Sequence, residues 1–262
     1  IMDTDDFDLT VRPNRDNRTK AFVQVQTGCD HRCTFCIIPY GRGNNRSVPI
    51  KKILEEIRSL VLEGYNEVIL TGVNITSYGL DLESQSTFGF LVKTILQKVP
   101  DLKRLRLSSL DPAELDDTLW QVLATNERLM PHLHLSVQAG HDIILKRMRR
   151  RHSRGDVLSC VRRARLLRPN ITFGADLIAG FPTETQPMFE STKDLIEECN
   201  FEFLHVFPYS IRKGTPAAQM PMVPVELRSE RAKNLRSLGQ KIQSSFFSQS
   251  LGNKAAILVE TP

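Results

Sequence analysis

The spacing of apolar residues along the 262-residue chain switches repeatedly between the period of a strand and the period of a helix. Short apolar or alternating runs predict six β-strands, at Ala21–Gln26, Glu67–Thr71, Arg104–Ser108, Leu133–Val137, Ile171–Ile178 and Phe203–Phe207. Apolar stripes with helical spacing predict a helix opened by Pro49 and stopped at Gly64, and helices over Phe88–Lys98, Asp111–Leu123, Asp142–Arg150, Arg154–Leu167 and Pro187–Cys199. The pattern therefore predicts an α/β protein.

Helices separate nearly all of the predicted strands, and this order favours parallel strand pairs with right-handed crossovers. The architecture that follows is a partial (β/α)6 barrel. In barrels of parallel strands, functional side chains gather at the carboxyl ends of the strands. We therefore expect the residues just after each strand to form the site.

The sequence divides into four predicted regions. Residues 1–19 are acidic at their start and lack periodicity, which is typical of a linker remnant, and residues 20–222 form the barrel. Residues 223–252 form a helical extension, with a long charged helix over Glu226–Ser248. Residues 253–262 are predicted to begin a second domain, because Lys254–Glu260 has the pattern of a strand. The alternative is a strand at the edge of the barrel. Both ends look cut, so we expect a fragment of a longer protein.

Composition is typical of a globular enzyme of the cytoplasm. Apolar side chains make up 40% of the chain, and no apolar run approaches the roughly 18 residues that a membrane-spanning helix needs. We therefore predict no membrane association.

Three cysteines lie within eight residues, in the spacing C-x3-C-x2-C formed by Cys29, Cys33 and Cys36. An iron–sulfur cube normally takes four thiolates, so three would leave one iron with an open coordination site. Zinc held by these thiolates and His31 is the main alternative. A disulfide framework is disfavoured because the cysteine count of five is odd and the chain is large. Cys160 and Cys199 fall in predicted helices and are interpreted as small buried hydrophobes.

The net charge of +5 is unevenly distributed, with ten Lys and Arg residues between Lys146 and Arg168. Such a run either forms a solvated helix face or contacts a phosphate backbone. The candidates for RNA contact are Arg147, Arg150, Arg151, Arg154, Arg162 and Arg163. One arginine of this segment, such as Arg149, could instead face inward.

The cysteine motif, with the aromatic Phe35 before its last cysteine, resembles that of radical S-adenosylmethionine (SAM) enzymes, and more narrowly of the methylthiotransferases. Further segments are similar to the branch that acts on N6-threonylcarbamoyladenosine in tRNA. They are Thr71–Ile75, Leu105–Pro112, Pro131–Ser136, His205–Ser210 and Gly214–Pro216. The resemblance runs from about Lys20 to the end of the chain.

This resemblance implies a [4Fe-4S] cluster on Cys29, Cys33 and Cys36, whose fourth iron binds SAM and cleaves it to a 5′-deoxyadenosyl radical. The protein then orients the cofactor and excludes competing reactions. The SAM-binding residues that it implies are Phe35, Gly72, Val73, Asn74, Ser136, Gln138, Asp176, Ile178, Phe207 and Pro208. Beyond the cluster and SAM, no catalytic residue is implied.

The resemblance also implies the partners and the wider reaction. Family members insert a methylthio group at C2 of adenosine 37, next to the tRNA anticodon, and take electrons from a donor such as flavodoxin or ferredoxin. They carry a second [4Fe-4S] cluster on an N-terminal domain and end in a small RNA-binding domain called TRAM. The 262 residues hold no second cysteine triad, and Lys254–Glu260 resembles only the start of a TRAM domain.

Two segments depart from the family pattern. Gln138–Asp142 reads Gln-Ala-Gly-His-Asp in place of the usual Gln-Ser-Gly-Ser-Asp, and Gly180–Glu184 has Thr183 in place of the usual glycine. Alternative functions also stay open at this point. They are methylthiotransfer to isopentenyladenosine in tRNA, a radical SAM enzyme of different outcome such as a methylase, and a zinc-stabilised RNA-binding module without catalysis.

Overall fold

A computed structural model of the chain describes residues 19–260, so most of the predicted linker lies outside the described residues. The strands are β1 (Lys20–Gln24), β2 (Gln26–Thr27), β3 (Arg46–Ser47), β4 (Glu67–Thr71), β5 (Arg104–Leu107), β6 (His132–Gln138), β7 (Thr172–Ala179) and β8 (Phe203–Pro208). The helices are α1 (Ile38–Arg42), α2 (Ile50–Leu62), α3 (Phe88–Lys98), α4 (Asp117–Thr125), α5 (Asp142–Met148), α6 (Arg154–Leu167), α7 (Gln186–Cys199) and α8 (Val225–Ser250), with short 3-10 turns at Ile75–Ser77 and Pro216–Gln219. All six predicted strands are confirmed.

The strands form two parallel half-sheets, β1-β4-β5 and β6-β7-β8. No continuous ladder joins β5 to β6. Instead, isolated bridges pair Leu105 with Leu129 and Leu110 with Leu135 across the seam. The described residues therefore form a partial barrel, as predicted, and the carboxyl ends of its strands share one rim.

The hydrophobic core lies between the strands and the helices. In β6 the buried residues Leu133, Leu135 and Val137 alternate with half-buried polar residues. Because side chains of a strand point alternately to its two faces, one face of the sheet is apolar and covered by helices. The opposite face is polar. We call the latter the inner face of the barrel.

One helix starts later than the sequence predicts. Asp111 and Pro112 do not open α4, which begins at Asp117 with Asp116 as its cap, accepting a hydrogen bond from the backbone N–H of Leu119 at 3.0 Å. Asp111 makes a similar local bond, from the N–H of Ala113 at 3.1 Å, but within a turn. Because an Asp side chain bonds nearby backbone in turns as well as in helix caps, the two signals look alike in sequence.

Two further features differ from the prediction. The two-residue strands β2 and β3 form an antiparallel hairpin that is too short for any hydrophobic period to reveal. The strand predicted over Lys254–Glu260 is not formed, since residues 253–260 carry no regular structure. A strand needs a hydrogen-bonded partner, and among the described residues this segment has none. Its assignment to a further domain stays a prediction.

The loop after β7 explains one departure from the family pattern. Thr183 has φ of 70°, a left-handed conformation in which glycine is favoured and a β-branched residue is an outlier. Its hydroxyl accepts a hydrogen bond from Arg147 Nη1 at 2.7 Å, and its N–H donates to the carbonyl of Pro221 at 2.9 Å. These bonds hold the threonine in a conformation that a glycine adopts without strain.

The other departure is equally local. His141 stands at the cap of α5, where its Nδ1 accepts a hydrogen bond from the N–H of Ile143 at 3.2 Å. It therefore satisfies a helix-terminal donor as the usual serine would. Ala139, beside it, is buried.

A buried ion pair fastens α8 to the barrel. Arg231 donates to the Glu184 carboxylate at 2.8 Å and to its backbone carbonyl at 2.9 Å, and both side chains are at most 4% exposed. The guanidinium also lies over the Phe189 ring, 5.3 Å from its centroid. Burial raises the pKa of Glu184, although the charge of Arg231 opposes that change. The pair therefore matters most when one partner is removed.

We expect Arg231→Ala to lower the free energy of unfolding by about 3–5 kcal/mol, because it leaves the Glu184 carboxylate buried without its counter-charge. Urea unfolding followed by circular dichroism measures the change. Adding Glu184→Gln should recover part of the loss, since the amide is uncharged. Lys233→Ala, at an exposed position on the same helix, is the control and should shift stability by no more than about 0.5 kcal/mol. Equal effects of Arg231→Ala and Lys233→Ala would contradict this role.

Candidate metal and cofactor site

The cysteine loop follows β2 at the rim of the barrel, and the β2–β3 hairpin holds its start. Gly28 has φ of +68°, and a Cβ at this position would lie 1.8 Å from the carbonyl oxygen of Asn44. The N–H of Cys29 donates to the carbonyl of Gly43 at 3.1 Å. The N–H of Thr34 donates to the carbonyl of Met148, at the end of α5, at 3.1 Å. The loop is thus clamped on two sides by backbone hydrogen bonds.

The three thiols of the loop are free and half-buried. Burial raises the pKa of Cys29 and of Cys36, and the proximity of Cys33 raises both further. Three thiolates in this space therefore repel one another unless a cationic group lies between them. This donor set fits a metal centre, because metal binding holds cysteine ligands in their deprotonated form.

Two observations favour a cluster over a single zinc ion. His31 does not turn toward the thiols, since its Nε2 lies 3.0 Å from the Glu114 carboxylate. In addition, the three Sγ atoms of the loop do not all lie within 4.8 Å of one another. Among the described residues, only the ligand atoms of His134, Asp176 and His205 form a group of three that is this compact. Tetrahedral zinc would bring its sulfur ligands to about 3.8 Å. The residues present therefore fit a larger metal centre.

Arg150 lies beneath the cysteine loop and not on the surface. Its guanidinium, 9% exposed, donates to the Asp111 carboxylate at 2.7 Å and to the carbonyl of Ser136 at 3.0 Å, and approaches Cys33 Sγ at 3.8 Å. Burial would raise the pKa of Asp111, but His152 and Arg150 together lower it. Arg150 therefore faces inward, whereas Arg149 is exposed, and RNA contact by the other arginines stays a prediction.

The turn after β4 is closed by a residue that the sequence did not single out. The side-chain oxygen of Gln26 accepts hydrogen bonds from the N–H groups of Val73 and Asn74, both at 2.9 Å. A Cβ on Gly72 would lie 2.8 Å from the carbonyl oxygen of Gln26, so only glycine fits here. The amide of Asn74 contacts Glu114 at 3.3 Å. These five residues form one network at the rim, and contact of Gly72, Val73 and Asn74 with SAM stays a prediction.

Gln26 ends the predicted strand Ala21–Gln26, three residues before Cys29, but only the structure shows its burial and its contacts. It is fully buried directly before the cysteine motif, and its amide nitrogen donates to the carbonyl of Gly28 at 2.7 Å and to Asn45 Oδ1 at 2.7 Å. A buried polar side chain must satisfy each donor and acceptor. This glutamine therefore couples the cysteine loop to the turn after β4.

A cavity of about 440 Å³ opens on the inner face beside the loop. Six of the ten predicted SAM-binding residues line it, and they are Phe35, Gln138, Asp176, Ile178, Phe207 and Pro208. Tyr209, Ser210 and Arg212 line it as well and were not predicted. Gly72, Val73, Asn74 and Ser136 lie outside this lining. The cavity therefore brings together the ends of β6, β7 and β8, whose residues are distant in sequence.

The remaining arginines separate into two groups. Arg147 and Arg151 lie at the rim, where the first bonds Thr183 and the second, 59% exposed, pairs with Glu114. Arg154, Arg162 and Arg163 lie on α6, on the outer side of the barrel. There Arg154 pairs with Glu198, and Arg163 pairs with Asp117 and lies over the Trp120 ring. The basic segment is thus not one continuous surface.

Comparison with protein families agrees with this geometry. The family described as the Radical SAM superfamily matches residues 23–196, which is more than half of the chain. The chain therefore belongs to the radical SAM superfamily, as its cysteine motif predicts.

Two curated relatives narrow the similarity. The chain is 54% identical over 245 residues to "Threonylcarbamoyladenosine tRNA methylthiotransferase MtaB" of Rickettsia prowazekii, covering 94% of this chain and 58% of that protein. It is 42% identical to "tRNA-2-methylthio-N(6)-dimethylallyladenosine synthase" of Oceanobacillus iheyensis, covering 94% of this chain and 47% of that protein. The chain thus spans about half the length of the relatives it matches.

Solved structures agree in fold alone. Coproporphyrinogen III oxidase (HemN) from Escherichia coli has a TM-score of 0.61 at 13% identity, over 86% of this chain and 53% of that chain. The radical S-adenosylmethionine methyltransferase TsrM from Kitasatospora setae has a TM-score of 0.60 at 17% identity, over 77% of this chain and 38% of that chain. Among the described residues, no helix is long and apolar enough to cross a membrane.

We expect Gly28→Ala to prevent assembly of a metal centre on the loop, because the added Cβ collides with the Asn44 carbonyl. Iron and sulfide bound per chain after anaerobic reconstitution measure the effect. Gly64→Ala is the matched control: it shares the positive φ and lies just after α2, away from the cysteine loop, and nothing lies within 4 Å of its Cβ, so it costs only about 1–3 kcal/mol of strain. Equal iron content in the two variants would show that the close approach at Gly28 does not matter.

Proposed function

We propose that this chain carries the SAM-cleaving site of a tRNA methylthiotransferase. The observation that carries the proposal is the juxtaposition of three free thiols on a clamped rim loop with a cavity lined by the ends of three parallel strands. Membership of the radical SAM superfamily and the similarity to two named tRNA methylthiotransferases support it.

In this proposal Cys29, Cys33 and Cys36 hold a [4Fe-4S] cluster, and the cavity holds SAM. When bound, the two groups supply reductive cleavage of SAM and abstraction of a hydrogen atom from the substrate. A cluster with three thiolate ligands leaves one iron for the cofactor. The side chains of the protein bind and orient the cluster and SAM, and these two groups carry the electron transfer.

The residues around the site divide this work. Phe35, which packs edge-on against Phe181 with 6.4 Å between ring centroids, would form one wall for the cofactor. Arg150 places positive charge 3.8 Å from Cys33 Sγ, which would stabilise a negatively charged metal centre on the loop. Arg212 lines the cavity and is the cation best placed for a carboxylate in it. The apolar core between β6–β8 and the helices excludes water from the face of the sheet opposite the cavity.

We infer that the whole protein inserts a methylthio group at C2 of N6-threonylcarbamoyladenosine at position 37 of tRNA. The Rickettsia relative, named for this substrate, supports it at 54% identity, against 42% for the relative named for dimethylallyladenosine. The sulfur donor in this proposal is a second [4Fe-4S] cluster outside these 262 residues, which contain only five cysteines. A flavodoxin- or ferredoxin-type donor would supply electrons.

The first prediction concerns the reaction of this chain by itself. After anaerobic reconstitution and reduction, we expect it to convert SAM to 5′-deoxyadenosine and methionine but to form no methylthio nucleoside from tRNA. Liquid chromatography with mass spectrometry measures both products. Cys33→Ala should abolish 5′-deoxyadenosine, while Cys160→Ala, which changes a buried cysteine away from the loop, should leave it unchanged.

Three outcomes would contradict this assignment. Stoichiometric zinc without iron would support a zinc-stabilised module instead. Methylthio nucleoside from these 262 residues would overturn the need for a second cluster. Methylated but not methylthiolated RNA would place the chain among radical SAM enzymes of another outcome.

The second prediction concerns tRNA binding. We expect Arg151→Gln, at the rim, to weaken binding and to reduce the slope of log K against log salt by about 0.7–0.9, the value for one lost phosphate contact. Filter binding at several salt concentrations gives the slope. Arg163→Gln is the matched control, because this arginine is also half-exposed and paired with a carboxylate but lies on α6, on the outer side of the barrel, so it should leave the slope unchanged. A slope that is reduced by Arg163→Gln and unchanged by Arg151→Gln would instead place the RNA along α6.

A further inference from the structure

Two histidines and an aspartate meet on the inner face of the barrel, on the strands β6, β7 and β8. His134 of β6, Asp176 of β7 and His205 of β8 each offer one ligand atom, and these atoms all lie within 4.8 Å of one another. They come from three adjacent parallel strands, so the sheet itself fixes their spacing. We call them the inner-face triad.

The distances within the triad match the edges of a coordination sphere. His134 Nε2 lies 2.9 Å and His205 Nδ1 lies 3.4 Å from the same oxygen, Asp176 Oδ1. Nitrogen and oxygen ligands about 2.1 Å from one metal ion are separated by about 3.0 Å in octahedral geometry and about 3.4 Å in tetrahedral geometry. Three protein ligands on one side also leave the other coordination positions open. The arrangement is that of a facial site with two imidazoles and one carboxylate.

The surroundings of the triad are shaped for it. At Gly174, next to His134 in the strand register, a Cβ would lie 2.2 Å from His134 Nδ1, so only glycine leaves space for the imidazole. The second carboxylate oxygen, Asp176 Oδ2, accepts a hydrogen bond from Ser109 Oγ at 3.0 Å. Ligating carboxylates are commonly held in this way by an outer hydrogen bond.

An ion could reach the triad from the cavity. His205 is 63% exposed, whereas His134 is 12% and Asp176 is 20% exposed. Asp176 also lines the 440 Å³ cavity, so the open positions of an ion would face its contents. The rings of His134 and His205 lie 4.6 Å apart, which keeps the two imidazoles side by side.

We propose that His134, Asp176 and His205 bind one divalent transition-metal ion, such as Zn²⁺ or Fe²⁺, separate from the centre on the cysteines. Two imidazoles select such an ion over Ca²⁺ or Mg²⁺, which prefer oxygen ligands. The ion offers its open positions to oxygen atoms of a molecule in the cavity. This site does not depend on the proposed tRNA substrate or on SAM cleavage.

The test uses Co²⁺ as a spectroscopic probe of the full chain with Cys29, Cys33 and Cys36 all changed to alanine. After treatment with EDTA, we expect one equivalent of Co²⁺ to bind with visible d–d bands and without thiolate-to-cobalt charge transfer. The wild-type chain, alkylated at its three half-buried loop thiols, should give the same result and serves if the triple variant does not fold.

Single substitutions locate the ion. His205→Ala should abolish stoichiometric binding without unfolding the chain, since His205 is exposed. Ser109→Ala should weaken binding about tenfold through the lost outer hydrogen bond. His141→Asn removes a histidine outside the triad while keeping a helix cap, so it should leave binding unchanged. Circular dichroism verifies that each variant is folded.

Two results would overturn the proposal. One is the absence of Co²⁺ binding in both thiol-blocked proteins, which would leave the triad as a hydrogen-bonded cluster around Asp176. The other is binding of equal affinity in the His205→Ala and His141→Asn variants, which would place the ion elsewhere.

Discussion

The buried ion pair of Asp111 and Arg150 lies at the point where the two half-sheets meet, and the candidate site depends on it. Arg150 follows α5, Asp111 follows β5, and the guanidinium also bonds the Ser136 carbonyl of β6. The pair therefore bridges a seam that has only isolated backbone bridges. A buried pair is costly to desolvate, and losing one partner destabilises more than the intact pair stabilises.

The same ion pair connects the scaffold to the chemistry. Arg150 approaches Cys33 Sγ, while the neighbouring Thr34 bonds the end of α5 through its N–H and, through Oγ1, the carbonyl of Arg147 at 2.7 Å. A shift at the seam would thus move the cysteine loop with it. Gln26 provides a parallel link on the other side, from the loop to the turn after β4. Two buried polar side chains thereby fix the loop between the half-sheets.

The polar inner face gives the barrel its capacity for more than one site. Its outer face is filled by one apolar cluster against the helices, so the polar residues of β6, β7 and β8 can only face inward. There the cavity beside the cysteines and the inner-face triad share Asp176. The cysteine loop is the feature that the chain shares with the radical SAM superfamily. The inner-face triad instead forms because the register of β6, β7 and β8 places its three side chains next to one another.

Local chemistry was readable from the sequence, because motifs and hydrophobic periods are properties of neighbouring residues. The six strands, their parallel order and the cysteine triad were predicted from such patterns, whereas the six predicted SAM-binding residues that line the cavity were implied by the family resemblance. The start of α4 was mistaken because an Asp in a turn and an Asp at a helix cap look the same in sequence.

Long-range pairing was decided only by the tertiary structure. Arg150 could be distinguished from its neighbouring arginines only once Asp111, 39 residues away in sequence, was placed beside it. The roles of Gln26 and of the triad on β6, β7 and β8 were hidden for the same reason. The sequence by itself determined which groups are present and which elements carry them. Only folding decided which of those groups meet, because burial and charge pairing depend on residues that are far apart along the chain.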